Sequence, residues 1–360
     1  MAARPWRFKS SLAYQRRSDD CLEYRLRPFG PADCILGNIP HLQIFKQVME
    51  ILFLLLGLGA LLLGSELMIN GALDIAQRHK VSQLFIGLTI LAFGTDLPEL
   101  FVVISGSLHR LQGTETSGLI VGEAIGTVFG QMAFVLGVAT FFGAMAITKR
   151  ELVRDGITML GSLVLLFIVS LDGSISRIDG AIFLVVYGLY FLTLFREEKL
   201  FNKLSFGQKG HALWAIVSII SGIVLLLIGS NLTVENALLL SEMFGVEQEL
   251  IGILVVGLST SLPELMTSIN AVRKGAGSMA AGNIIGSNVF DILVTLGIGS
   301  LISEFTVSND LLFFDLPFLF VTCIIALAFF RSERKVTHKE GLIVLTLYVV
   351  YYLIRLFVAV

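Results

Sequence analysis

Apolar positions in this chain come in long blocks, not in alternation. Ten such blocks occupy 51–73, 81–108, 117–142, 153–171, 178–195, 211–240, 246–272, 277–302, 311–330 and 340–358. A helix needs about twenty mostly apolar residues to cross the hydrocarbon core, so each block predicts a membrane-spanning helix. The fold class implied is all-α, a polytopic membrane protein of ten transmembrane helices. Residues 1–48 break the pattern. They carry scattered Arg and Lys and no apolar run of signal-peptide length, and are expected to be disordered.

Composition agrees. Hydrophobic residues make up 55% of the chain and charged residues 15%, whereas a soluble domain carries about a quarter charged residues. Charge also sorts the loops. Those after the first, third, fifth, seventh and ninth blocks hold fifteen Lys and Arg, while the opposite loops hold only Arg110 and Arg177. The positive-inside rule then makes the first set cytoplasmic, the 196–210 linker among them, with both termini outside a cell's plasma (inner) membrane. A basic tail fits poorly outside. Met49 stands directly before the first block, so the functional chain is expected to start there, with 1–48 an upstream extension.

The blocks are not uniformly apolar. "AFGTDLPELF" (Ala92–Phe101) puts Gly, Asp, Pro and Glu inside the second, and "VGLSTSLPELM" (Val256–Met266) does the same inside the seventh. Glu264 comes 165 residues after Glu99. The same offset relates "LGSELMINGAL" (Leu63–Leu73) to "IGSNLTVENAL" (Ile228–Leu238) and "VSQLFIG" (Val81–Gly87) to "VEQELIG" (Val246–Gly252). "GEAIGTVFGQMAFVLG" (Gly122–Gly137) and "GNIIGSNVFDILVTLG" (Gly282–Gly297) match at an offset of 160. The chain thus reads as a five-helix unit written twice, 50–195 and 211–358. Five is odd, so the second copy enters from the other side. In inverted repeats, interrupted helices in matching positions mark a site at mid-membrane.

The polar residues suit a hard cation. Thr95 and Glu99 share a helix face, as do Thr260 and Glu264. Pro98 and Pro263 lack an N–H, which is expected to free carbonyls around Ala92 and Phe93, and around Gly257 and Leu258. Glu123, Thr127 and Gln131 recur every four residues, and so do Asn283, Ser287 and Asp291. The three cysteines (Cys21, Cys34, Cys323) and five histidines have no ligand spacing. Carboxylates, hydroxyls and carbonyls are the ligands of Ca²⁺ and, by the same logic, Na⁺. No Arg or Lys is expected within the repeats' spans, which disfavours an anion.

At these residues the chain resembles the cation/Ca²⁺ exchanger superfamily, in particular prokaryotic sodium/calcium exchangers. "GTDLPEL" and "STSLPEL" look like the first halves of its two α-repeats, and "GEAIGTVFGQ" and "GNIIGSNVFD" like the second halves. The resemblance implies ten helices, with the first and sixth sliding against a core of the other eight. It assigns Glu99 and Glu264 to calcium, and Thr95, Thr260, Ser261, Thr127, Ser287 and the carbonyls of Ala92 and Gly257 to the sodium and calcium sites. Asp291 takes the central acidic position. The first repeat departs from the pattern, with Asp96 for a usual Ser, and Glu123 and Gln131 for usual Asn residues.

Five carboxylates cannot all stay charged in a small dry cavity, so some are expected to bind protons. The function implied is an antiporter exchanging Ca²⁺ against Na⁺, without a cofactor. Protons on Asp96 and Glu123 replacing one or more Na⁺ give the alternative, Ca²⁺ or another cation against H⁺. A passive cation channel fits less well, because channels gather symmetry around the membrane normal. An intramembrane hydrolase fits least, because the acids are duplicated on inverted halves. No nucleic acid or protein partner is evident, and the lipid bilayer is the partner implied by composition. Glu66 and Asn231 occupy matching places in the first and sixth blocks, as gate or as helix contact.

Overall fold

The computed structural model describes residues 40–78, 92–198, 212–273, 275 and 277–358. The chain divides into Met1–Leu52 and Phe53–Val360. Of the first unit only the beginning of the helix Pro40–Arg78 is described, and the second unit holds all the other described elements. Among the described residues nine helices are long and apolar enough to cross a membrane: Gln47–Gly71, Ser117–Phe142, Lys149–Asp172, Arg177–Leu194, Leu213–Phe244, Gln248–Arg273, Gly277–Ile302, Leu311–Ser332 and His338–Phe357. Each coincides with a predicted block. The remaining block, 81–108, is described from Ala92 onward as the helices Ala92–Thr95 and Leu97–Leu111. Most of the basic tail, the "VSQLFIG" stretch and most of the 196–210 linker lie outside the described residues. The spans keep the numbers of their predicted blocks, first to tenth.

Helix is what these sequences must form, because lipid offers no partner for backbone N–H and C=O groups. Three spans begin at side-chain caps, two of them reciprocal, which meet unpaired groups of the first turn. Thr148 and Glu151 cap the fourth, Ser176 and Asp179 the fifth, and Thr337 and Glu340 pair at the head of the tenth.

The third and eighth spans lie at the centre, 78% and 83% buried, while no other described span exceeds 50%. Their apolar contacts fall into two clusters. The larger joins the third, fourth, fifth, eighth, ninth and tenth spans around residues such as Phe129, Leu136, Phe183, Ile292 and Tyr351, and takes in Val103 of the second and Ile253 and Val272 of the seventh. The smaller joins the first and sixth spans, through Leu54, Leu58, Leu61, Leu226 and Val234, to Val102, Leu119 and Val256 of the second, third and seventh.

Small residues set two close helix approaches. A Cβ added to Gly64 of the first span would stand 2.9 Å from the Gly222 carbonyl oxygen of the sixth, and one on Gly222 would stand 2.7 Å from the Gly64 oxygen. Between the third and seventh spans, a Cβ on Gly126 would lie 2.5 Å from Ile253 Cα.

Two short antiparallel ladders tie the loops. β1 (Met145–Ala146) pairs with β4 (Lys335–Val336), and β2 (Ser174–Ile175) pairs with β3 (Phe305–Thr306). The 21-residue helix Lys149–Val169 runs between β1 and β2, about 32 Å of rise, so the ladders sit at opposite ends of the bundle. The first ladder joins loops of the Lys- and Arg-rich set. The second joins loops of the other set, where Arg110 donates to the Glu304 carbonyl at 2.6 Å and Arg177 to the Ile302 carbonyl at 3.4 Å. The structure therefore sorts these loops to two ends as their charge does. Arg110 also pairs with Glu115. Partial burial pushes that carboxyl up, but hydrogen bonds from Arg110 and Ser117 prevail and hold it below the usual carboxylate range.

Gly126→Val forces apart two backbones, an overpacking of about 1–3 kcal/mol. It is expected to lower the melting temperature of the detergent-purified protein by several degrees. Gly59→Val meets nothing within 4 Å and is expected to leave it unchanged.

Candidate cation site

The second and seventh spans are each interrupted at a single residue. Asp96 (φ −84°, ψ 3°) separates Ala92–Thr95 from Leu97–Leu111, and Ser261 (φ −76°, ψ 1°) separates Gly257–Thr260 from Leu262–Arg273. Pro98 and Pro263 stand two residues later and withhold the amides that a helix would give to Gly94 and Ser259. This moves the freed carbonyls from the expected places. The Gly94 oxygen takes the Ser65 hydroxyl of the first span at 2.5 Å. The Gly257 oxygen keeps the Ser261 amide at 3.3 Å and also faces three hydroxyls, of Ser261 at 2.8 Å, Thr260 at 3.2 Å and Thr127 at 3.4 Å. It is a shared acceptor where the third and seventh spans meet, not a bare one.

The third span brings its whole polar stripe inward. Glu123, Thr127 and Gln131 are fully buried. Thr127 Oγ1 lies 3.5 Å from Glu123 Oε1 and 3.4 Å from Thr260 Oγ1. Gln131 Nε2 donates to Asp291 Oδ2 of the eighth span at 3.0 Å. Both partners sit at the head of a π-helical turn, Gly130–Val135 and Asp291–Thr295, a local widening common at functional sites. In the eighth span Ser287 and Asp291 are fully buried, while Asn283 is half-buried, the one place where its stripe differs from that of the third.

The acids converge. Glu264, Asp291, Asp96 and Glu123 all stand near Glu99. Asp96 neighbours Ser287 and Glu264, and Thr95 also neighbours Glu264. Of the predicted site residues, the structure gathers Thr95, Asp96, Glu99, Glu123, Thr127, Gln131, Gly257, Thr260, Ser261, Glu264, Ser287 and Asp291, and Ala92 opens the short helix before the break.

Among the described residues, eight buried carboxylate oxygens here have no hydrogen-bond donor: both of Asp96, Glu99 and Glu264, and one each of Glu123 and Asp291. Gln131 Oε1 and Ser287 Oγ are likewise unpartnered. Naked carboxylates out of water are too costly to persist, so bound protons or bound cations must complete the site. No trio of His, Cys, Asp and Glu among the described residues is grouped tightly enough to hold a metal by itself. A cation here would draw on hydroxyl, amide and carbonyl oxygens as well as the acids, a ligand set that suits Ca²⁺ and similar hard ions.

The sequence model of the family described as "Sodium/calcium exchanger protein" matches residues 49–196 and 214–357. This chain belongs to the sodium/calcium exchanger family. The sodium/calcium exchanger MaX1 of Methanosarcina acetivorans is 29% identical over 349 residues, covering 85% of this chain and 98% of its own. The inner membrane protein YrbG of Escherichia coli is 31% identical over 265 residues, covering 69% and 79%. A structure of the sodium-calcium exchanger NCX_Mj soaked with Na⁺ and Sr²⁺ superposes with a TM-score of 0.58 at 28% identity, covering 84% of this chain and 97% of that one. The protein is a multi-pass membrane transporter of this family, acting on cations, and not an enzyme.

The exchanger also holds buried polar residues that the sequence pattern did not single out. Tyr190 of the fifth span donates to Asp155 of the fourth at 2.9 Å, and Tyr351 of the tenth donates to Asp315 of the ninth at 2.7 Å. Asp155 and Asp315 are 160 residues apart, the offset already carried by Gly122 and Gly282, and that signal could have found them. The expectation of spans without Arg is corrected by Arg355, 2% exposed in the tenth span. Its Nη2 lies 3.0 Å from Asp315 Oδ2, and Asp310 is 3.6 Å from Nη1. A buried guanidinium is tolerated where carboxylates neutralise it, and none of Arg355's charged partners is a site acid. Glu66 is exposed, and Asn231 accepts a hydrogen bond from Ser105 of the second span at 2.6 Å.

Glu264→Gln and Asp96→Asn each remove one buried carboxylate that needs a proton or a cation. At pH 8 and without Ca²⁺ or Na⁺, the variants are expected to melt a few degrees above wild type, a gain of about 1–4 kcal/mol. An unchanged or lower melting temperature would contradict the account of these oxygens.

Proposed function

We propose that this protein exchanges Ca²⁺ against Na⁺ by alternating access to one site midway through the membrane. The observation that carries this reading is the set of unpartnered carboxylate oxygens contributed by both halves of the chain, with no basic side chain among them. In this reading Glu99 and Glu264 neutralise one Ca²⁺. Thr95, Thr127, Thr260, Ser261, Ser287, Gln131 and the carbonyls of Ala92 and Gly257 complete the Ca²⁺ and Na⁺ shells, and Asp291 anchors the centre.

The halves are 50–195 and 211–358, related by inversion about an axis in the membrane plane. Their opposite entry is supported by the ladders. β1 and β3 come after the third and eighth spans at corresponding places, yet each pairs at its own end of the bundle. The first and sixth spans form the moving unit. Their mutual glycine contact and their separate apolar cluster against the second, third and seventh spans support motion as one body. The Lys- and Arg-rich loops face the cytoplasm, with both termini outside, in a cell's plasma (inner) membrane.

Proton coupling is the second reading, favoured by two residues. Asp96 and Glu123 are buried acids whose counterparts in the other half, Ser261 and Asn283, are neutral. Each adds a carboxylate that a proton can neutralise before Ca²⁺ arrives.

In proteoliposomes, ⁴⁵Ca²⁺ uptake is expected only with an outward counter-ion gradient, Na⁺ in the first reading and H⁺ in the second. Uptake without either would indicate a channel. Glu99→Gln and Glu264→Gln should abolish transport. If protons drive it, Asp96→Ser should shift the requirement toward Na⁺, and an unchanged driver in that variant would rule out Asp96 as a coupling proton carrier.

A further inference from the structure

The seventh span approaches the site through a second irregularity, the π turn Gly252–Val256. Within it the Gly257 amide bonds to the Gly252 carbonyl, five residues back. In an α-helix that amide would serve Ile253, so the turn leaves the Ile253 carbonyl without its usual donor. A hydroxyl from another span stands in. Tyr352 Oη of the tenth span lies 3.3 Å from the Ile253 oxygen and 3.2 Å from the Leu254 oxygen. Tyr348 Oη donates to Tyr352 Oη at 2.6 Å, which occupies a Tyr352 lone pair and leaves its proton for the carbonyls. The Tyr348 ring is itself stacked on Phe129 of the third span, with centroids 5.3 Å apart.

We infer that Tyr352 is a positioning residue for the cation site, fixing where the seventh span widens and hence the rotation of every ligand after the turn. One extra residue in a turn rotates the rest of the helix by about 100°. Gly257, Thr260, Ser261 and Glu264 come within the next two turns, and the Gly257 oxygen is where four donors meet. If the widening shifted by a residue, these groups would turn away from the third span. Phe191, standing beside Tyr190 as Tyr352 stands beside Tyr351, has no hydroxyl and packs against Phe93 with centroids 6.0 Å apart. The inference rests on the reading of this cavity as a cation site, but not on which ion drives exchange.

The test is equilibrium ⁴⁵Ca²⁺ binding to the purified full-length protein. Tyr352→Phe is expected to bind about three- to tenfold more weakly, the loss of one buried hydrogen bond read as affinity. Tyr348→Phe should weaken binding in the same direction but less. Tyr190→Phe removes a buried hydroxyl that serves Asp155, and is expected to bind as wild type even if it melts earlier. Wild-type affinity in Tyr352→Phe, or an equal loss in Tyr190→Phe, would overturn the inference. If Tyr352→Phe does not fold, unchanged affinity in Tyr348→Phe overturns it. Absence of binding in the wild type would instead refute the cation site and this inference with it.

Discussion

Every buried oxygen in a lipid-embedded protein needs a partner, and at the heart of this one the protein supplies too few donors. Some buried acids outside the site do find partners. Asp155 and Asp315 each receive a tyrosine hydroxyl, and Arg355 is neutralised by Asp315. Around Glu99 and Glu264 the requirement is left unmet. The fold can hold such a deficit only because the surrounding helices are tightly packed, with the third and eighth spans almost wholly enclosed. In the proposed reading, a mobile cation or proton relieves this deficit.

The same packing divides the apolar contacts into two clusters. The larger apolar cluster draws on every described span but the first and sixth, with aromatic contacts such as Phe129 against Tyr351 at 4.4 Å. The smaller one is a surface of Leu and Val between the first and sixth spans and their neighbours. Few polar bonds cross it. Ser65 to the Gly94 carbonyl and Ser105 to Asn231 are two that do. Both lie on the second span, on either side of its break, so a displacement of the first or sixth span would be felt at Asp96 and Glu99.

Much of this was legible in the residues. Nine predicted spans coincide with described helices because twenty apolar residues in lipid have few alternatives to helix. The convergence of the acids was legible from two stretches, each with a Glu directly after a Pro. Three things were not. The freed carbonyl at Gly94 depends on counting back from the proline, and its capture by Ser65 depends on tertiary packing. The π turns leave no distinct mark on an apolar sequence. The buried Arg355 is the third, because a single sequence does not show that Asp315 and Tyr351 neighbour it.

The central claim is that a dehydrated cation sits among donor-free oxygens contributed by both halves. Anomalous diffraction from crystals soaked in Ca²⁺ tests it most directly. The account requires a peak about 2.3–2.6 Å from carboxylate oxygens of both Glu99 and Glu264. A Ca²⁺ peak found only at surface acids, or a site bounded by one half alone, would contradict it.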